Sequence, residues 1–270
     1  MWWKGTIIRK LILTLETGLF LFVFRKLFII LYIIASKDAR FSYMFIVPIL
    51  SFHLFIRYRK KEAGPVPFLA GSSVLVLGLS LYYLLKDMSQ PTILGVAFVI
   101  SLVGLLLVNT SYKYVRNILP SLVMLLLLFP LPNFINAPLN LNLQIISTQI
   151  ATILINLSGV SASAQANLIK LPGLFLNVAE VCSGIGVLFS FVTFGAFLSL
   201  MTKTGLIKKT VLFLLSVPFA IIANSVRLFI VSLCYYYLHM KEHIMVGLVV
   251  YLITGFCYYA IYNAVTKDAE

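Results

Sequence analysis

Long apolar runs, interrupted at short intervals by basic or turn-forming residues, make up most of this chain. Runs near 11–35, 43–57, 67–85, 92–111, 117–133, 183–202, 209–236 and 244–265 carry few or no charges. An apolar stretch of about eighteen residues or more predicts a membrane-crossing helix. In lipid the backbone must satisfy its own polar groups, so the runs are expected as helices. They lack the apolar–polar alternation of barrel strands. The pattern therefore predicts an all-α polytopic membrane protein with about eight transmembrane helices.

Two segments depart from this pattern. Arg25 and Lys26 fall inside the first run, and a charge at mid-membrane costs about 3 kcal/mol on insertion scales. That run fits either a full crossing or a surface helix leading into a short, tilted span. The second segment is LNLNLQIISTQIATILINLS, 139–158, where Asn140, Gln144, Thr148, Thr152 and Asn156 recur every four residues. On a helix this spacing gives one uncharged polar stripe. It predicts an amphipathic interfacial or re-entrant helix over 139–158, with the stripe of 140–156, Thr148 and Thr152 included, lining an entry groove. The following stretch, 159–181, contains Pro172-Gly173 and is expected as a short extracytoplasmic loop or hairpin.

Composition excludes a soluble fold. The chain is 61% hydrophobic and 11% charged, with mean hydropathy +1.04, against about 25% charged in soluble domains. Its net charge of +13 does not argue for nucleic-acid binding, because the basic residues cluster at span ends. Arg57, Arg59, Lys60, Lys61, Lys113, Arg116, Lys203, Lys208 and Lys209, with Lys4, Arg9, Lys10 and Lys267 near the termini, fall on one side of the predicted layout. The smaller set, Lys37, Arg40, Lys86, Lys170 and Lys241, falls on the other. The richer side is expected to be cytoplasmic, with both termini on it, in a protein integral to the cell membrane and surrounded by its lipids. No internal repeat or long linker divides the chain, so one domain, 1–270, is expected. The first run lacks a small-residue cleavage site and is read as retained. Three cysteines make no even disulfide framework; Cys234 and Cys257 lie inside apolar runs, as small hydrophobes do.

The helical rise of about 1.5 Å per residue turns sequence into depth. Arg227 lies eighteen residues past Lys209, about 27 Å above that edge. Cys182 lies twenty-one residues before Lys203, about 32 Å above the same edge. His243 precedes the last span and lies about 36 Å from Lys267. A thiol, a guanidinium and an imidazole thus reach one level near the outer interface. Cys182 stands at a predicted helix start, where free N–H groups and the helix dipole favour a thiolate. Ser183 is placed to cap that helix, Glu180 lies just before it, and Asn224 shares a helix face with Arg227. His239, four residues before His243, is a rival for the imidazole. Such a trio suits acyl transfer: thiol as nucleophile, imidazole for proton transfer, guanidinium for the oxyanion. No cofactor is needed, and no HExxH zinc motif occurs.

Several segments also resemble, in order, the exosortase/archaeosortase family of membrane-embedded, sortase-like transpeptidases. These are FSYMFIVPILS (41–51), LLLFPLPNF (126–134), NLIKLPGLFLNVAEVCSGI (167–185), ANSVRLF (223–229) and HIMVG (243–247). The resemblance covers roughly 38–260, and its CSGI block, NxxR motif and final histidine are the specific parts. It implies Cys182 as nucleophile, Arg227 as transition-state stabiliser and His243 as general base or acid, since the HxxxG spacing selects His243 over His239. It implies exported protein substrates with a C-terminal signal: a recognition motif, a transmembrane helix and a basic tail. These would be cleaved on the extracytoplasmic side through a thioester. One departure is Gly186, where the family often has arginine directly after CSGI. A transporter or flippase would instead place its site nearer midplane, between broken helices of repeated halves. A scaffold without chemistry would tolerate Cys182→Ala.

Overall fold

The computed structural model describes residues 2–60, 64–88, 90–239 and 244–267. In chain order the helices are α1 (Trp2–Val23) and α2 (Arg25–Lys37), then a 3-10 turn (Ala39–Phe45) leading into α3 (Val47–Tyr58). They continue with α4 (Phe68–Leu85), α5 (Pro91–Asn109), α6 (Tyr112–Asn117), α7 (Leu119–Leu126) and α8 (Asn133–Leu157). Three short strands follow, β1 (Ser163–Gln165), β2 (Leu168–Leu171) and β3 (Leu174–Asn177). A second 3-10 turn (Glu180–Cys182) precedes α9 (Ile185–Met201), α10 (Leu206–Leu238) and α11 (Ile244–Thr266).

Among the described residues six helices are long and apolar enough to cross a membrane, or seven if the bent α1–α2 pair is one span. This is close to the expected eight, and the physical reasons for the difference are local. The run near 117–133 yields only the eight-residue α7, because Phe129-Pro130-Leu131-Pro132 follows it and proline cannot supply the N–H that continues a helix. The run near 183–202 yields α9, a 17-residue helix, shorter than a usual crossing. The first run breaks at Phe24 with a 57° bend, which places Arg25 and Lys26 at the start of α2.

The segment expected at the interface is part of a longer helix. It belongs to α8, a 25-residue helix long and apolar enough to span. Asn140, Gln144, Thr148 and Thr152 are all buried, and Thr148 is fully so. The polar stripe faces inward as α8 packs against α10 and α9 instead of opening to a groove. Only Asn156, at the far end, is exposed; its amide holds the chain at Ala162 from both sides, at 2.8 and 2.9 Å.

The chain forms two compact units. One comprises residues 1–37 and 60–116. In it α4 and α5 form a close hairpin, with Gly71, Gly78 and Gly104 each lying directly on the facing backbone. Phe20, Phe24, Tyr82 and Phe98 interlock as an aromatic cluster at the α1–α2 bend. The other unit, 38–59 and 117–270, holds the candidate site. Its core joins Leu143 of α8, Ile185, Leu188, Phe191 and Leu198 of α9, Ala220 and Ala223 of α10, and Tyr258 of α11. The small residues Ser216, Ala220 and Ala223 of α10 are buried there and let α9 approach closely.

The segment expected as a hairpin is an antiparallel three-stranded meander in the order β1-β2-β3. The Pro172-Gly173 turn sets the register Leu171↔Leu174, with Gly173 at φ +71°, a conformation glycine adopts without cost. Ile169, Leu171 and Val178 pack with Ala151 and Ile155 of α8 and Leu228 of α10. The sheet thus covers one end of the helix bundle and delivers the chain into the turn that carries Cys182.

Candidate functional site

Residues 180–182 form one 3-10 turn, with the Cys182 N–H bonded to the Ala179 carbonyl at 2.8 Å. Gly184 then takes φ +89° and starts α9. A side chain at Gly184 would meet the Asn224 amide at 2.6 Å, so only glycine lets the Cys182 turn sit against α10. Ser183 is fully buried, and its hydroxyl accepts from the Ile185 N–H at 3.2 Å. It satisfies one free donor of the first turn, as the expected cap would, from one position before the cap residue itself.

Asn224 and Arg227 lie one turn apart on α10, both buried. The Asn224 amide donates to the Cys182 carbonyl at 3.2 Å. Nη2 of Arg227 reaches the Cys182 sulfur at 3.7 Å, within the range of a hydrogen bond to sulfur. Nη1 of Arg227 donates to the Tyr251 hydroxyl at 3.1 Å, and that hydroxyl reaches Oδ1 of Asn224 at 3.5 Å. The guanidinium also lies over the Tyr251 ring, 5.8 Å from its centre. Thiol, amide, guanidinium and phenol therefore form one closed set drawn from three elements.

Arg227 is 9% exposed, and among the described residues no carboxylate pairs with it. Among the described residues its buried Nε has no hydrogen-bond partner. A buried guanidinium without a counter-charge is costly. It is therefore poised to interact with negative charge that develops beside it. Gly247 makes room for it: a Cβ there would stand 3.0 Å from the Arg227 Nε. This is a physical reason for a glycine four residues after His243.

The structure thus brings Cys182, Asn224 and Arg227 together, at the common depth that counting along the helices predicted. His243 lies outside the described residues, immediately before α11. His239 ends α10 in a left-handed conformation, φ +51°, exposed. It lies twelve residues beyond Arg227, about 18 Å along the helix axis, and is not part of the set. Glu180 points elsewhere: its carboxylate pairs with Arg40 at 2.9 Å and is largely exposed. Arg40 also grips Asp38 at 2.7 Å, and its backbone runs against Gly186, where a Cβ would stand 2.9 Å from the Arg40 carbonyl oxygen. That contact leaves no room for an arginine side chain directly after CSGI. Tyr251 was not anticipated. Its one signal is spacing, since His243, Gly247 and Tyr251 follow one another every four residues.

A family model described as Transmembrane exosortase (Exosortase_EpsH) matches residues 35–260. Comparison with curated proteins and with solved structures finds no match. The matched span includes both 3-10 turns, the sheet and the whole Cys182–Arg227 set, and on that match the chain belongs to the transmembrane exosortase family.

Proposed function

We propose that the protein is a cysteine-dependent transpeptidase that removes the C-terminal sorting signal of exported proteins at the outer membrane interface. The observation that carries this reading is a buried guanidinium, with no carboxylate partner among the described residues, 3.7 Å from a thiol at the start of an apolar helix. Cys182 Sγ attacks the scissile carbonyl carbon and forms a C–S bond. The carbonyl oxygen takes up negative charge, which Arg227 stabilises in a site with little competing water. The C–N bond then breaks, and the thiol proton passes by way of His243 to the leaving amine. A thioester remains on Cys182. Water or another nucleophile attacks it, releasing the product and restoring the thiol.

Orientation follows from charge. Cys182 is at the first end of α9, while Lys203, Lys208 and Lys209 gather at the other. The basic end is cytoplasmic by the positive-inside rule, as is the end of α11, whose Val265 carbonyl is contacted by Lys208 at 3.4 Å. Lys4, Arg9 and Lys10 assign the first terminus to the same side. The reacting groups then face outward, where the recognition motif of a substrate lies when its transmembrane helix is embedded and its basic tail is inside.

The test is trimming of a co-expressed exported protein that carries such a C-terminal signal. Cys182→Ala, Arg227→Ala and His243→Ala are each expected to lower trimming at least about 100-fold, the scale of losing one transition-state contact, with membrane levels of the enzyme unchanged. Full trimming by Cys182→Ala would refute the reading.

A further inference from the structure

About 26 Å of helix separates the Cys182 end of α9 from its other end, and a second polar feature lies there. A cavity of about 430 Å³ opens between the last turns of α3, α9 and α11. Arg57, Lys203, Tyr259, Tyr262, Asn263 and Thr266 line it. Two of these are cations and the other four carry neutral hydrogen-bond donors. Among the described residues no aspartate or glutamate lines it. This wall suits an anion.

Three helix ends bring carbonyl groups to this place, which would repel an anion. Three of these carbonyls are already engaged. Arg57 donates to the Met201 carbonyl at 3.3 Å, the Tyr58 hydroxyl donates to Leu200 at 2.6 Å, and Lys208 donates to Val265 at 3.4 Å. Arg57 keeps further N–H donors for a ligand, and neither Arg57 nor Lys203 pairs with a carboxylate among the described residues.

The surface leading to the cavity is apolar. Met245, Val249, Leu252, Phe256 and Tyr259 recur every three or four residues on α11 and are all exposed. No charge occurs in this helix, and the line ends at Asn263. A hydrocarbon-facing strip that runs into a cationic, donor-rich cleft matches a molecule with an acyl chain at one end and a phosphate at the other. We propose that the cleft binds the headgroup of an anionic phospholipid, with its acyl chains along the exposed face of α11. Arg57 and Lys203 neutralise the phosphate, while Tyr259, Asn263 and Thr266 hold its polar substituent. The site is independent of the chemistry at Cys182.

The experiment uses the purified full chain in a neutral detergent, with thermal unfolding and native mass spectrometry as readouts. Phosphatidylglycerol, phosphatidylcholine and glycerol 1-phosphate are the probes. Phosphatidylglycerol is expected to raise the apparent Tm saturably and to remain bound, and the other two to do neither. Lys203→Glu reverses a charge that takes no part in the Arg57–Met201 contact and is expected to weaken the phosphatidylglycerol effect at least about tenfold. Asn263→Leu, on a separate helix, serves as a second variant and is expected to weaken it in the same direction. Equal effects of phosphatidylcholine and phosphatidylglycerol, or an unchanged response in both variants, would overturn the proposal. An equal shift with glycerol 1-phosphate alone would overturn the assignment to a lipid.

Discussion

Arg227 is held on two sides, by the Tyr251 hydroxyl and by the space that Gly247 leaves. A hydrogen bond to a charged group contributes about 1.5–3 kcal/mol. If that bond serves to aim the guanidinium at the reacting carbonyl, its loss falls on kcat and leaves KM nearly unchanged. Tyr251→Phe is therefore expected to lower kcat for trimming about 10- to 100-fold. An unchanged kcat would remove Tyr251 from the site. Gly184 gives a second expectation at this scale. An alanine there needs a left-handed backbone and meets Asn224 at 2.6 Å, a strain of about 1–3 kcal/mol. Gly184→Ala is expected to lower Tm in detergent and to abolish trimming, because relief of the clash moves Asn224 off the Cys182 carbonyl. A variant with native Tm and full activity would contradict this packing.

At the scale of elements, α8 and the turn at Ala39–Phe45 show how the site is supported. From Asn140 to Thr152 the polar stripe of α8 is buried, and among the described residues the hydroxyl of the fully inaccessible Thr148 has no hydrogen-bond partner. Such a hydroxyl costs free energy, so Thr148→Val is expected to be neutral or to stabilise by up to about 1 kcal/mol. Thr148→Leu overpacks the same position and is expected to destabilise by about 1–3 kcal/mol. Thermal unfolding of both variants distinguishes burial from exposure to a groove, where the two would behave alike. The Ala39–Phe45 turn is anchored by Asp38, whose side chain accepts from the Arg40 backbone and guanidinium. Those hydrogen bonds from Arg40 hold the Asp38 carboxyl below its ordinary range. A lowered carboxylate adds stability that is complete above the ordinary value of about 3.9 and disappears as pH falls through the lowered value. The Tm difference between the wild-type chain and Asp38→Asn is therefore expected to be constant from pH 5 to 8 and to shrink in stronger acid. A difference that grows on acidification would contradict this assignment. The Arg40–Glu180 pair adds little, because Glu180 is largely exposed.

At the scale of the whole molecule, depth was legible in the sequence and lateral packing was not. The rise of a helix converts residue number into height, so a shared level for Cys182 and Arg227 follows from counting between basic span ends, while their contact at 3.7 Å does not. The Pro172-Gly173 turn likewise announced the β2–β3 hairpin. Nothing local marked β1, which is three exposed residues. Nor does anything distinguish Tyr251 among fourteen tyrosines except its step of four from Gly247. The α8 stripe reads as interfacial because its composition is amphipathic. Only its packing partners, α9 and α10, show that the polar face is inside. The bend at Phe24 depends on its contacts with Tyr82 and Phe98, distant residues that no window of sequence contains. The proposed activity rests on chemistry at one sulfur. The most direct measurement is intact-mass and peptide mass spectrometry of the enzyme isolated with a co-expressed substrate, with Cys234 and Cys257 replaced by alanine so that one thiol remains. A hydroxylamine-labile acyl adduct on Cys182, absent in Cys182→Ala, is the predicted result. Substrate trimming that proceeds with no adduct on Cys182, or proceeds equally in Cys182→Ala, would contradict it.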